Sequence, residues 1–172
     1  MSLDSLEKLF LEELKDVYNA EKQILRALPK MAKAAESPKL EQAFTQHLKE
    51  TEGQVQRLER IFKELGQTPR GKKCKGMEGL LEEGKEVLEE EGEAAVIDAA
   101  LIASAQRVEH YEIAAYGCLR AYASLLGYSQ AEQLLGQNLR EEEAADKKLT
   151  QIGESGVNQA AFSAGTGTGE EE

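Results

Sequence analysis

The chain has 172 residues, enough for one domain with a substantial core, and a formal charge of −11. It carries no clustered basic arm, which argues against nucleic acid as a partner, since phosphate attraction needs grouped Lys and Arg. No run approaches ~18 apolar residues, so no membrane span is expected.

Trp is absent and Pro occurs three times, while Ala, Leu, Glu and Lys abound, a composition that favours helix. The N-terminus has no charged region followed by an apolar one, so no signal peptide is read there and a cytoplasmic location is expected. The basic run Arg70-Gly71-Lys72-Lys73-Cys74-Lys75 is flanked by acidic sequence and reads as a solvated loop. Cys74 and Cys118 form no CxxC motif. They read as a loop thiol and a helix-core thiol rather than a disulfide.

The first helix is expected to begin near Ser2 or Ser5, with Ser2 or Asp4 as its cap. Its apolar stripe is Leu6, Phe10, Leu14, Val17, Glu21, Ile24, Leu28, in steps of three and four. Pro29 is expected to bend its end or to sit in a local irregularity. After the break at Ala35-Glu36-Ser37-Pro38, a second helix runs to about Leu65. Ser37 is its expected cap, Pro38 its first residue and Gly66 its C-terminal stop. Two rows share its buried face: Phe44, Leu48, Thr51, Val55, Leu58, Phe62, and His47, Glu50, Gln54, Leu58, Ile61, Leu65. Residues 66–92 are punctuated by glycine and hold one short helix, about Met77 to Glu90, with Leu80, Leu81, Val87 and Leu88 inward.

A third helix spans roughly Glu93 to Leu126 with the stripe Leu101, Ala105, Val108/Glu109, Glu112, Tyr116, Leu119, Ala123, Leu126. Gly127 ends it, and Ser129 is the expected cap of the fourth. That helix runs to about Ile152 with Leu135, Leu139, Glu142, Asp146, Leu149 and Ile152 in its stripe. From Ser155 the composition reads as a flexible tail, which gives a domain over 1–154 and a tail over 155–172. Short connections make two antiparallel hairpins, and the long third connection joins them. The expected fold is all-α, the ferritin-like four-helix bundle with a crossover and a short extra helix. The halves echo weakly: Val17-x-x-x-Glu21 matches Val108-x-x-x-Glu112.

Six acids fall inside these apolar stripes: Glu21, Glu50, Glu109, Glu112, Glu142 and Asp146. A carboxylate costs several kcal/mol to bury uncompensated, and six in one core would repel each other. A pair of metal ions is the economical counter-charge. Carboxylate-bridged bundles take one Glu from each of two helices and a Glu-x-x-His from each of the other two. This chain departs from that pattern. Three residues beyond Glu50 stands Gly53, and three beyond Glu142 stands Ala145. Gln54 and Asp146, each four residues on, come nearest to the histidine positions. An oxygen-rich set suits iron, and also manganese, magnesium or calcium. His47 lies on the row of Glu50 and reads as a hydrogen-bonded neighbour of the site, with a ligand role as the alternative. His110 falls off the stripe and reads as surface. Tyr18, three before Glu21, is a candidate donor to the site. No P-loop, dinucleotide fingerprint or nucleophile elbow occurs.

The segments Glu13-Leu-Lys-Asp-Val-Tyr-Asn-Ala-Glu21, Ala27-Leu-Pro-Lys-Met-Ala32, His47-Leu-Lys-Glu-Thr-Glu-Gly-Gln54 and Val108-Glu-His-Tyr-Glu-Ile-Ala-Ala-Tyr-Gly117 resemble the YciE/YciF-type ferritin-like family. The resemblance covers about residues 3–155. It implies a cytoplasmic, stress-associated bacterial protein, usually a homodimer, with a rubrerythrin-like metal arrangement. By position it implies Glu21, Glu50, Gln54, Glu109, Glu112, Glu142 and Asp146 as ligands of two metal ions, iron first and manganese second. The Glu109/Glu112 pair resembles the extra glutamate of rubrerythrins, which reduce peroxide. Three functions compete at this point: a di-metal oxidoreductase acting on peroxide or dioxygen, an iron-sequestering protein, and a non-enzymatic stress or interaction scaffold. The first lacks the four-cysteine electron-transfer module of full rubrerythrins.

Overall fold

A computed structural model describes residues 3–166. Ser2, a candidate cap, and the tail residues 167–172 lie outside the described part. The elements are α1 (Leu6–Ala34), α2 (Pro38–Glu64), α3 (Lys75–Glu89), α4 (Ala94–Leu125), α5 (Ser129–Ile152), a π-helical turn (Gly153–Val157) and α6 (Asn158–Thr166). The four long helices α1, α2, α4 and α5 form the bundle: α1 pairs with α2, α4 with α5, and α2 and α5 close the ring. The crossover helix α3 lies across α4 and α1. This is the expected all-α, ferritin-like arrangement.

Local chemistry sets the ends. Ser5, not the expected Asp4, caps α1, its Oγ accepting from Lys8 N at 3.2 Å. The helix runs on through Pro29, which lies on an exposed face. Gly66 (φ 63°) and Gly127 (φ 74°) sit in the left-handed region just past α2 and α4. There Gln67 N reaches Phe62 O and Tyr128 N reaches Ala123 O, both at 2.9 Å. A side chain with a Cβ would be strained at both stops. Ser37 precedes α2 as expected, yet its side chain makes no capping bond. Asp98, 3% exposed on α4, satisfies the amides there instead, accepting from Glu36 N at 3.0 Å and Ser37 N at 2.7 Å. We expect Asp98→Ala to cost about 2 kcal/mol and to lower the melting temperature by about 5 °C, read by calorimetry. An unchanged melting temperature would show that water replaces the carboxylate without loss.

Three further expectations are corrected. Ser155 does not begin a flexible tail within the described residues. Val157 is buried in the core beside Ile152, the chain kinks at Gly156, and α6 packs on α4. The Ala-rich segment 158–166 therefore gains a surface on which to be helical. The cysteines exchange their expected roles. Cys74 is buried at the start of α3, where its Sγ accepts from Met77 N at 3.4 Å, and Cys118 is exposed. The fourth helix is preceded at its cap position by Tyr128, not Ser129, and Tyr128 makes no side-chain capping bond.

The core is not continuous. One apolar cluster holds Phe10, Leu14, Val17, Leu58, Phe62, Leu119 and Leu135; the other holds Ile24, Leu28, Phe44, Leu101, Leu149 and Ile152. Between them, at mid-length of all four bundle helices, lies a polar layer.

Candidate metal centre

The layer takes Glu21 from α1, His47 and Gln54 from α2, Glu109 and Glu112 from α4, and Glu142 from α5. All six are buried, and Glu21, Gln54, Glu112 and Glu142 are completely inaccessible. One donor atom each from His47, Glu109, Glu112 and Glu142 fall within 4.8 Å of one another. His47 Nε2 stands 3.3 Å from Glu109 Oε1 and 3.5 Å from Glu142 Oε2. Tyr116, wholly buried, donates its hydroxyl proton to Glu21 Oε1.

Among the described residues, every buried side-chain N or O atom lacking a hydrogen-bond partner belongs to these six residues. The nine atoms include both oxygens of Glu112 and Glu142, both amide atoms of Gln54, and one atom each of Glu21, His47 and Glu109. Native interiors rarely leave such atoms unmet, and each costs about 1–3 kcal/mol. Their clustering in one layer, with donor atoms of four residues within 4.8 Å of one another, fits a bound cation.

Burial pushes the carboxyls upward. Glu21 rises to about 8, through burial first and the charge of Glu142 second, against the Tyr116 hydrogen bond. Glu109 rises to about 7, again through burial; a hydrogen bond with the Glu142 carboxyl opposes this, and the charges of Glu21, Asp146 and Glu50 add to it. Glu112 and Glu142 stand well above the ordinary carboxylate value, with burial leading, and Glu142 and Glu109 respectively the neighbours that contribute next. Burial alone would lower His47, but its bond to Glu50 and the charges of Glu142 and Glu21 outweigh that and raise it. Protons thus stand in for cations in the metal-free layer.

The other candidate residues are placed differently. Glu50 is half-buried at the rim, with Oε2 3.4 Å from His47 Nδ1 and Oε1 accepting from Gln46 at 3.0 Å. Its carboxyl is held low, chiefly by the His47 hydrogen bond. Asp146 faces the edge between α4 and α5, where it accepts from Gln106 Nε2 at 3.1 Å and pairs with exposed His110 at 3.2 Å. Tyr18 turns outward and donates to Glu59 at 2.9 Å, so the donor role expected of it falls to Tyr116. The aromatic ring on the α4 stripe, four residues after Glu112, carried that signal.

Sequence reasoning also missed the brace behind the layer. Arg57 on α2 holds Glu141 on α5 through two bonds of 2.7 and 2.8 Å and donates to buried Asn138. Asn138 in turn donates to Gln54 O at 3.5 Å. Thr51 donates its hydroxyl to His47 O at 2.9 Å. The Arg57 and Asn138 contacts fix the rotation of α2 against α5.

With this geometry in view, comparison with known proteins is specific. The sequence profile of a family described as a domain of unknown function (DUF892) matches residues 5–162. Protein YciF of Escherichia coli (strain K12) is 48% identical over 162 residues, covering 94% of this chain and 98% of that protein. The crystal structure of the E. coli stress protein YciF superposes with a TM-score of 0.88 at 47% identity, covering 91% of this chain and 99% of the other. The Rhodopseudomonas palustris protein YcfI superposes with a TM-score of 0.83 at 47% identity, covering 87% and 97%. A protein of Xanthomonas campestris pv. campestris, 21% identical with a TM-score of 0.72 over 92% and 96%, shares the fold. The chain belongs to the DUF892 family, as a ferritin-like bundle of the YciF type.

Proposed function

We propose that the layer holds two metal ions, iron first and manganese second, and that the protein reduces peroxide or dioxygen in bacterial stress defence. The observation that carries this is the convergence of nine unmet buried polar atoms on one level of the bundle. Glu21, Glu109, Glu112 and Glu142 together carry four negative charges when ionised. Two divalent ions balance them; a single ion leaves two charges buried and unpaired. Carboxylate oxygens with one imidazole suit iron or manganese. Such a pair would supply two electrons together, the number that cleavage of a peroxide O–O bond requires.

The protein's own residues do the rest. Tyr116 orients Glu21 through its hydroxyl proton. His47 spans from half-buried Glu50 at the rim, which faces its Nδ1, to Glu109 and Glu142 inside, which face its Nε2; with Nδ1 protonated toward Glu50, Nε2 is left to donate its lone pair to a metal. The apolar clusters on both sides keep bulk water from the layer. A cytoplasmic homodimer is the compartment and assembly that accompany this reading, and a solution mass separates it from a storage cage. The rival, a structural or interaction protein, draws on the raised carboxyls, which let protonated acids fill the layer without metal.

Protein purified without added metal is expected to contain about two iron or manganese ions per chain. The anaerobic ferrous form is expected to react faster with hydrogen peroxide than with dioxygen in stopped-flow mixing. Metal near zero, with no uptake on addition, would leave the structural reading. Faster reaction with dioxygen would favour iron sequestration.

A further inference from the structure

A cleft of about 90 Å³ opens between α2 and α5, and its floor is the metal layer. Its inner end is His47, 5% exposed, with Nε2 3.3 Å from Glu109 Oε1. Its walls are small or apolar: Ala43, Ala145 and Leu149 among them. Lys148 and Glu50, of opposite sign, stand at the outer end, so no net field there favours an ion.

Size decides what can use it. One water needs about 10–15 Å³ of such space, so the cleft admits several waters or one hydrogen peroxide, while its deep end, where His47 is 5% exposed, is too tight for a bulky organic hydroperoxide. A second void touching both His47 and Glu109 lies under Leu81 of α3 and measures about 10 Å³. That is at the lower limit for a single water. Resting on the oxidoreductase reading above, the geometry points to the α2–α5 cleft as the route by which a small uncharged oxidant reaches the layer, with Ala145 setting its bore.

Ala145 stands three residues beyond Glu142 on α5, where bundles of this class commonly carry a histidine. Here the missing imidazole leaves open space on the solvent side of the site. A leucine there adds three carbons to the wall of the cleft. Ala144, exposed at the outer wall, offers a second place to narrow it without entering the core.

Two measurements test this on the full chain. In metal-free protein under pressurised dioxygen, the methyl NMR signals of Ala43 and Ala145 should show paramagnetic broadening close to that of exposed methyls. In Ala145→Leu and Ala144→Leu, the Ala43 broadening should fall to the level of a fully buried methyl. In the metal-loaded, reduced protein, either variant should keep its metal content but react about tenfold more slowly with hydrogen peroxide. Cumene hydroperoxide should react at least about tenfold more slowly than hydrogen peroxide in the unmodified protein. Unbroadened Ala43 in the unmodified protein, unchanged broadening in both variants, or equal rates for the two peroxides would overturn the route. Failure to bind metal would overturn the oxidoreductase reading alone, because the dioxygen measurement needs no metal.

Discussion

Metal-free protein is expected to melt about 10 °C lower at about pH 8 than at about pH 5.5. Glu21 and Glu109 rise from an ordinary 4.5 to about 8 and about 7, and Glu112 and Glu142 rise well above it, all chiefly through burial. The folded chain therefore binds more protons than the unfolded chain between pH 4.5 and about 8. Stability is full below that window and falls as the pH rises through it. A carboxyl that titrates one pH unit higher in the folded chain than in the unfolded one loses about 1.4 kcal/mol across that interval, so the layer loses several kcal/mol. A domain of this size loses about 2–4 °C per kcal/mol, which gives the expected drop. His47 acts in the same sense: its raised value contributes stability below its unfolded value that is lost as pH rises through its folded one. Glu50 acts in the opposite sense. Its lowered carboxyl contributes stability above its unfolded value, lost only as the pH falls through the folded one. Saturating manganese or iron should invert the slope, because ligands must shed their protons to bind. Calorimetry across the range with and without metal decides; a metal-free melting temperature that rises toward pH 8 would refute this origin of the slope.

The second large effect separates binding from stability. Glu112→Leu and Glu142→Leu should each cut bound metal to less than half, yet raise the melting temperature of the metal-free protein by about 5 °C at about pH 8. Both oxygens of each acid are buried and unmet, and apolar clusters lie above and below. Replacing such a group by a hydrocarbon of similar volume removes a desolvation cost and relieves its neighbours. A residue that merely supported the fold would show the reverse, losing stability with metal content unchanged. Elemental analysis paired with thermal melts distinguishes the two. Normal metal content in both variants would refute the assignment.

The apolar stripes were legible because four long helices each repeat at three and four residues, and an acid inside such a stripe stands out. Glu21, Glu109, Glu112 and Glu142 were found that way. The finer placement was not legible. His47 and Glu50 lie three apart on one row, and which points to the bundle axis depends on the rotation of α2. Phe44, Leu58 and Phe62 and the Arg57 brace to α5 set that rotation, and those are contacts between distant segments. Asp146 is drawn aside by Gln106 and His110, partners on another helix. Asp98 sits three residues before Leu101, within the stripe, but its role is to serve two amides some sixty residues away. Composition could not foresee α6, because the socket for Val157 is built by the rest of the chain.

The division of the core into two apolar clusters also fixes how the helices align lengthwise. Leucine-rich helices slide past one another at little cost, since one apolar turn resembles the next. A shift of one turn, about 5.4 Å, would here carry Glu21 or Glu142 into a level of leucine and phenylalanine. That costs several kcal/mol per misplaced acid, a large share of what a domain has to lose. Four helices that each carry a polar residue at the same height thus have one common alignment, and the neighbouring alignments are shut out by the same residues that would grip the ions.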